Sequence, residues 1–486
     1  MKKIMSIVAI AFAAASCGSI EKMAEQAEKV LVNCNPEVLE VVANKIDATV
    51  SVTYPEDYFN PKAILEVTPV IVFKGGEVAG KPLYYQGEKV KDNYTVVPKD
   101  GATVTEKLSF DFVPGMENCY LELRGVAKYK AKSVELPSKK VADGCNTTYM
   151  LVNKNGRVDL KADGYQAIIK ETAEGQILYT INSSDVRSSQ LKSQSIKDFQ
   201  NAIDQIKADE RRVITSTDIV AYASPDGGQS LNSKLSDKRS SSASKAFDKV
   251  TKKHEVDADV NVQSIGQDWE GFQELVAASN IEDKDLIIRV LSMYSDPAVR
   301  EQEIKNMSEV YSTLKSSVLP ELRRARFIAN VEYTNWTSEE LTKLVDENID
   351  VLDEPALLHA ATLVSKSDDK LSIYKKAIDK YNSATAKFNS AVVNIKDGKL
   401  AKAGKFLEGL TEDADVLNAK GVIALQEGKL ADAAKLFAKA GNDESKENAA
   451  VVDILNGDYK AAAEKLAGTK GNNAALAQLL NKNYAA

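Results

Sequence analysis

The sequence predicts a multidomain protein with an N-terminal all-β, sandwich-like domain, a central α/β domain and a C-terminal all-α array of helical-hairpin repeats. The chain has 486 residues, enough for about three domains at ~150 residues each. Apolar residues alternate with period two up to residue 150, and strand and helix patterns alternate up to residue 335. Helical patterns with recurring glycines follow to the C-terminus. These three changes of pattern define the predicted domains.

Residues 1–16 have the features of a secretory signal peptide. Lys2 and Lys3 precede the apolar run IMSIVAIAFAAAS, which is too short for a permanent transmembrane helix. The small residues before Cys17 resemble the lipobox of bacterial lipoproteins, and this resemblance implies cleavage before Cys17 and acylation of its thiol. The alternative is an ordinary cleavage site with Cys17 as a bystander. Residues 17–35 would then form the lipidated N-terminus and a polar spacer.

Residues 36–150 are predicted to form the all-β domain. Val50, Val52 and Tyr54 alternate with small or polar residues, and similar runs recur between glycine and proline turns. The sequence does not indicate a specific role for this domain, so a spacer or packing function is the simplest interpretation.

Three cysteines follow Cys17 in the chain: Cys34, Cys119 and Cys145. In an oxidising compartment they allow one disulfide and leave one thiol over, and the sequence does not select the pair. Their spacing is not that of a metal site, so no metal ligand is expected.

Residues 160–335 are predicted to form the α/β domain. The segments 175–182 and 213–224 have strand patterns, and a helix is expected to begin near Leu231. Between the two strands, four apolar residues follow a helical period: Ile196, Phe199, Ile203 and Ile206. A longer helical stretch precedes the closing strand and predicts a helical insertion.

Residues 337–486 are predicted to form helical hairpins. Gly398, Gly428 and Gly457 lie 30 and 29 residues apart, and an alanine follows each glycine by five positions. Such a glycine closes a helix in the left-handed conformation, while the alanine lets two helices approach closely. The array resembles the tetratricopeptide (TPR) family, although its period is shorter than that family's ~34 residues.

The motif that carries most chemical information is Asn232-x-x-Leu235-Ser236-x-x-Arg239. It follows the strand TDIVAYAS and a glycine turn, and the segment LRRARFIANVEY comes later in the chain. Together these residues resemble the OmpA-like peptidoglycan-binding domain over about residues 170–335. That resemblance implies binding of a cell-wall peptide stem.

The resemblance assigns roles to four residues. Arg239 would hold the stem carboxylate in a bidentate pair, and Asn232 would support the turn and the ligand with amide hydrogen bonds. The family's turn aspartate, which pairs with the stem ammonium, is replaced by Ser224, and Asp226 is its possible substitute. Losing this charged hydrogen bond costs about 1.5–3 kcal/mol of binding free energy. The alternative is structural, with Arg239 on an exposed helix face and Asn232 as an N-cap.

Other functional classes lack support in the sequence. The net charge is −7, and no dense basic block interleaved with aromatic residues indicates nucleic-acid binding. Only two histidines occur, His254 and His359, and neither lies in a zinc-binding or nucleophile motif. We therefore expect no enzyme activity, no metal and no cofactor.

The leading sequence-based hypothesis is an outer-membrane lipoprotein that faces the periplasm, without an acidic export cluster after Cys17. It would join the outer membrane, through acyl chains on Cys17, to peptidoglycan. The alternative is a periplasmic assembly scaffold in which the helical repeats bind a protein partner. A glycan-binding surface on the β domain ranks last, because aromatic residues make up only 7% of the chain.

Overall fold

A computed structural model describes residues 20–254 and 256–484 of the chain, without the side chains of residues 308–310. The predicted signal peptide 1–16 and Cys17 lie outside the described residues. The chain divides into two compact units. The first contains the residues up to Ala162 together with those from Lys370 onwards, and the second is Asp163–Asp369.

The first unit begins with a short helix, followed by eleven strands that form one hydrogen-bonded network. These elements are α1 (Ile20–Glu25), β1 (Leu31–Asn35), β2 (Val38–Val42), β3 (Lys45–Tyr54), β4 (Ile64–Phe73), β5 (Gly76–Ala79), β6 (Leu83–Gly87), β7 (Thr95–Val97), β8 (Ala102–Asp111), β9 (Cys119–Tyr129), β10 (Lys132–Glu135) and β11 (Lys139–Asn146). The main path runs β1-β3-β2-β11-β9-β4-β6-β7, and β8, β5 and β10 pair with β3, β4 and β9.

Alternation of buried and partly exposed side chains runs along these strands as predicted. In β3, Val50, Val52 and Tyr54 are buried, whereas the residues between them are partly exposed. Leu65 of β4 and Leu121 of β9 belong to the same apolar cluster. The N-terminal region is therefore β-rich with a shared core, because period-two burial places one face of each strand inward.

The second unit alternates strands and helices around a four-stranded sheet. Its elements are β12 (Ile168–Leu178), α2 (Gln194–Ala208), β13 (Arg212–Ala223), α3 (Gln229–Thr251), β14 (Asp259–Gln267), α4 (Trp269–Ala278), α5 (Lys284–Met293), α6 (Pro297–Asn306), α7 (Ser308–Ser317), β15 (Arg324–Thr334), α8 (Ser338–Glu347) and α9 (Glu354–Leu363). The strand order is β12-β15-β13-β14. Only β13 and β14 run parallel, and the other two pairs are antiparallel.

Aromatic rings form the centre of this second unit. Phe199 of α2, Phe247 of α3 and Phe327 of β15 pack with centroid distances of 5.3–6.3 Å. The predicted helical insertion corresponds to α4–α7, which build a separate apolar cluster around Phe272 and Leu314. The sheet thus carries a helical layer and, beside it, a small helical subdomain.

The C-terminal part is a stack of helical hairpins. Its helices are α10 (Ser367–Tyr381), α11 (Ala384–Lys396), α12 (Leu400–Leu407), α13 (Ala414–Gln426), α14 (Leu430–Ala440), α15 (Asp443–Asn456), α16 (Tyr459–Lys465) and α17 (Asn472–Leu480). Gly398, Gly428 and Gly457 have φ of 71°, 77° and 82°. The glycines therefore end the first helices of three hairpins in the left-handed region, as the sequence predicts.

The compact units do not follow the predicted boundary at residue 337. Helices α8 and α9 belong to the second unit, where the Arg211 guanidinium bonds Glu340 at 2.7 Å and lies 3.9 Å from the Trp336 ring. The ring of His359 in α9 stacks on Tyr165 at 4.5 Å. Since periodicity reports only which face of a helix is apolar, it does not indicate which neighbour covers that face.

Candidate functional sites: the arginine cluster and the asparagine groove

The arginine cluster comprises the four residues predicted to bind a peptide stem. The structure brings them together where β13 ends and α3 begins. Helix α3 has Gly228 as its N-cap, so the alternative role of Asn232 as N-cap is wrong. The Asn232 amide instead donates to the carbonyl oxygens of Ser224, at 2.9 Å, and Gly227, at 2.7 Å. Asn232 therefore holds the turn, and its contact with a ligand stays a prediction.

Arg239 is enclosed by the protein's own main chain. Its side chain is only 1% exposed. Nε, Nη1 and Nη2 donate to the carbonyl oxygens of Ser183 at 2.9 Å, Tyr222 at 2.9 Å and Thr180 at 3.2 Å. The guanidinium also lies 4.9 Å from the ring of Tyr179. In this structure its donors are used internally, and the stem-binding role of Arg239 stays a prediction.

Burial has an electrostatic consequence for Arg239. Desolvation lowers its pKa to about 10, and the nearby Arg323 cation adds to the decrease. The group still carries its charge at neutral pH. The three carbonyl dipoles compensate this buried charge in place of a carboxylate partner.

Asp226, the possible substitute for the missing turn aspartate, is already paired. It accepts a hydrogen bond from the Ser224 hydroxyl, and its other carboxylate oxygen lies 3.2 Å from Nη2 of Arg323. A cavity of about 10 Å³ lies beside Asp226 and is lined by Trp269 and Phe272. That space holds about one water molecule, so it does not accommodate a peptide stem.

A second site lies in the first unit and was not predicted. Residues 152–162, here called the strap, form neither helix nor strand and run along the helical hairpins. Four side chains on one surface of the hairpins contact the strap and define the asparagine groove: Asn389, Asn418, Asn448 and Asn473. They come from α11, α13, α15 and α17.

Three of the groove asparagines pair reciprocally with the main chain of the strap. Asn473 accepts from the N–H of Asn153 at 2.8 Å and donates to its carbonyl at 2.9 Å. Asn448 makes the same reciprocal pair with Arg157, at 2.7 and 2.8 Å. Asn389 does so with Lys161, at 2.8 and 3.2 Å. This is the pattern by which one strand bonds another.

The bonded strap residues recur at every fourth position. Asn153, Arg157 and Lys161 are four residues apart, a span of at most about 14 Å for each step. Asn418 adds a bond to the Arg157 carbonyl at 2.9 Å and accepts from Asn448 at 2.8 Å. The groove therefore satisfies main-chain groups of the strap at regular intervals.

Charged side chains flank the groove. The Arg157 guanidinium lies 2.9 Å from Glu447 and 3.7 Å from Glu444. Lys161 forms an ion pair with Asp413, and its ammonium lies 5.0 Å from the ring centroid of Phe388. Burial alone would raise the pKa of Asp413, but Lys161 and the adjacent N–H groups lower it overall. The groove thus presents negative charge to a basic segment.

A sequence signal for the groove existed but was not used. Asn389, Asn418 and Asn448 lie 29 and 30 residues apart, the same period as the helix-ending glycines. Asparagine is uncommon inside helices because its side chain competes for main-chain hydrogen bonds. Its recurrence on buried helix positions indicates a main-chain partner, although not which segment that partner is.

Among the residues that the structure describes, no group of three or more histidine, cysteine, aspartate and glutamate side chains is placed to hold a metal ion. In the same ranges, no helix has the length and apolar character needed to span a bilayer.

No family model and no curated protein matches the chain, so the resemblance to OmpA-like domains stays a prediction. Eight chains of solved structures match. One is YrrB, a TPR protein with an unusual peptide-binding site, at 19% identity over 30% of this chain and 87% of that one, with a TM-score of 0.23. Another is the APC/C hetero-tetramer Cut9-Hcn1, at 13% identity over 62% of this chain and 52% of that one, with a TM-score of 0.25.

The chain thus spans about half the length of the Cut9-Hcn1 chain that it matches.

Proposed function

We propose that the helical repeats bind an extended segment of a partner protein, so that the chain acts as a non-catalytic assembly scaffold. The observation that carries this proposal is the reciprocal pairing of Asn389, Asn448 and Asn473 with main-chain groups. A carboxamide has both an acceptor and donors, so one side chain satisfies both main-chain groups of one residue. The groove therefore has the chemistry of a receptor for extended polypeptide.

The energetics favour an extended and basic ligand. Each net hydrogen bond contributes about 0.5–1.5 kcal/mol, and an unsatisfied buried amide costs about 1–3 kcal/mol. The buried groove asparagines consequently need a main-chain occupant. Glu447 and Asp413 favour ligands with basic residues at the positions of Arg157 and Lys161, because the two carboxylates attract positive charge and repel negative charge.

We propose that this scaffold works in the bacterial envelope, on the periplasmic side of the outer membrane. The support comes from the sequence: the apolar leader of residues 1–16 and the lipobox-like residues before Cys17. Two or three acyl chains on Cys17 would hold the protein at the membrane durably.

Peptidoglycan binding by the second unit is the weaker proposal. Arg239 would have to give up three main-chain hydrogen bonds before it could hold a stem carboxylate. We expect the full mature chain to stay in the supernatant when it is mixed with purified sacculi and centrifuged. Retention on the sacculi would favour the tether over the scaffold.

Photo-crosslinking in the cells that make the protein tests the scaffold. A photoreactive phenylalanine derivative replaces Lys470, which lines the cavity beside Asn473. The control position is Val213 on β13 of the second unit, which is 58% exposed. We expect a protein adduct from position 470 only, and mass spectrometry should locate the linked residue in an extended segment of the partner.

The adduct must also depend on the groove. In a chain with Asn418→Ala and Asn448→Ala, which still melts cooperatively, we expect the adduct from position 470 to disappear. An adduct that forms equally at position 213, or that persists without these two amides, would rule out the groove as the partner site.

A further inference from the structure

The asparagine groove is occupied by a segment of the same chain. The strap follows the 3-10 turn Thr148–Leu151 and precedes β12, so it is linked covalently at both ends. Its Val152 and Val158 are buried in the core of the first unit. Any partner segment that uses this groove must therefore replace the strap.

The fit between the strap and the groove is tight at one glycine. Gly156 has a φ of +71°, and an added Cβ would lie 2.8 Å from both methyl carbons of Val422. Only glycine combines this backbone conformation with such a close approach. A larger residue at position 156 should therefore expel the strap without any change to the groove itself.

Space for an incoming chain lies beside the N-terminal half of the strap. A cavity of about 250 Å³ is lined by Asn153, Arg157, Asn448 and Asn473. A second cavity of about 580 Å³ shares Leu466 and Lys470 with it and extends to Gln478 at the end of α17. A partner segment could first bind here and then replace the strap stepwise.

We infer that the strap is a built-in competitor, which fills the groove until an extended segment of another protein displaces it. That segment carries a glycine, a basic residue directly after it and a second basic residue four positions later, as Gly156, Arg157 and Lys161 do in the strap. The two basic residues meet Glu447 and Asp413. This inference rests on the proposed function, since it describes the regulation of the same groove.

The strength of such competition follows from the covalent link. A flexibly tethered ligand acts at an effective concentration of about 1 mM. If the same sequence binds as a free peptide with a Kd of about 10 μM, the groove is open in about one molecule in a hundred. A free peptide should then bind the natural chain about a hundredfold more weakly than a chain whose strap is released.

Peptide binding to the full mature chain tests the inference. The probe is a fluorescent peptide of residues 151–163, LVNKNGRVDLKAD, followed by anisotropy. We expect micromolar binding to the Gly156→Val chain and about a hundredfold weaker binding to the natural chain. The matched control is Gly164→Val, because Gly164 also has a φ of +71° but has no atom within 4 Å of an added Cβ. That variant should bind the peptide as weakly as the natural chain does.

A second variant should release the strap by charge repulsion. It keeps the inference testable if the Gly156→Val chain does not fold. In the Arg157→Glu, Lys161→Glu double variant, the new glutamates of the strap face Glu447 and Asp413, which carry the same charge. This variant should therefore bind the free peptide as strongly as the Gly156→Val variant does. Amide hydrogen exchange at residues 157 and 161 measures release directly. If neither variant speeds this exchange, the strap is a fixed part of the core and the inference is wrong.

The remaining outcomes separate the inference from the proposed function. Equal binding of the peptide to the natural chain and to both release variants would mean that the strap does not compete, although the groove is a peptide receptor. Release of the strap without peptide binding to any variant would overturn both proposals. A peptide with glutamate in place of its arginine and second lysine should bind none of the chains.

Discussion

Arg239 brings a positive charge into the interior of the second unit, where three carbonyl groups share its donors. Burial lowers its pKa to about 10. The folded state would therefore lose this proton before the unfolded state does, so this group would make stability rise with pH only above about pH 10. At neutral pH both states are protonated, and Arg239 acts as a constant structural cation.

We expect Arg239→Ala to lower the free energy of unfolding of the second unit by about 3 kcal/mol, since it leaves buried carbonyls without donors. The measurement is urea unfolding of the full chain. Arg187→Ala is the matched control, because Arg187 is an exposed arginine of the same unit. A stable Arg239→Ala chain with unfolding like that of Arg187→Ala would show that the carbonyls do not depend on this side chain.

At the scale of elements, strand register selects among the three cysteines. Gly144 of β11 pairs with Cys119 of β9, which brings Cys145 beside Cys119. A hydrogen bond between the two sulfurs lowers the pKa of Cys119 and raises the pKa of Cys145. Cys34 pairs instead with Val50 of β3. The sequence left this pairing open, and the sheet brings Cys119 and Cys145 together.

We expect Cys119 and Cys145 to form a disulfide when a thiol-disulfide oxidant accepts their two electrons and two protons. One of the two thiolates attacks the oxidant, and the other thiolate then displaces it to close the Cys119–Cys145 bond. Peptide mapping without reductant should find this link, while Cys34 reacts with an alkylating reagent. A disulfide that contains Cys34 would contradict the register.

The helix-ending glycines differ in what surrounds them, and this difference is testable. Gly398 has no atom within 4 Å of an added Cβ, whereas at Gly457 the Cβ would lie 2.3 Å from Cγ1 of Val42. Left-handed backbone costs an alanine about 1–2 kcal/mol at either position. Overpacking at Gly457 adds about 1–3 kcal/mol.

Thermal unfolding of the full chain should therefore show a larger decrease in Tm for Gly457→Ala than for Gly398→Ala. The reason is that only Gly457 lies against the β domain, where Val42 ends β2. Equal decreases would indicate that the hairpins and β2 do not make this close contact in solution.

At the scale of the whole molecule, the first unit is built from two parts of the chain that are distant in sequence. One apolar cluster contains Ile46 and Leu121 of the β domain together with Val422 and Phe437 of the hairpins. The sequence predicts two separate domains here, whereas the structure has one continuous core. Neither part alone would bury the apolar surface that it presents to the other.

Fragments of the chain test this shared core. Residues 18–162 without the hairpins should not melt cooperatively, because removal of the hairpins exposes apolar residues of the β domain that belong to the shared cluster. Residues 163–369 should melt as a single folded unit. Cooperative melting of the first fragment at the temperature of the full chain would show that the β domain is independent.

The sequence predicted local features well. Alternation in β3, the helical period of α2 and the left-handed glycines all depend on residues near one another in the chain, so local patterns indicated them. The arginine motif also brought its residues to one turn. Sequence reasoning did not predict the burial of Arg239, because the carbonyls that enclose it come from Thr180, Ser183 and Tyr222, of which the nearest in sequence is 17 residues away.

By itself, the sequence determined the order of β, α/β and helical parts, the period of the hairpins and the positions of the special glycines. Only the tertiary structure decided that the hairpins share a core with the β domain and that the strap fills their groove. The period of apolar residues indicates which helix and strand faces must be buried, but it does not indicate which segment of the chain buries them. That choice depends on contacts between residues hundreds of positions apart, such as Asn153 with Asn473, and these form only when the whole unit is folded.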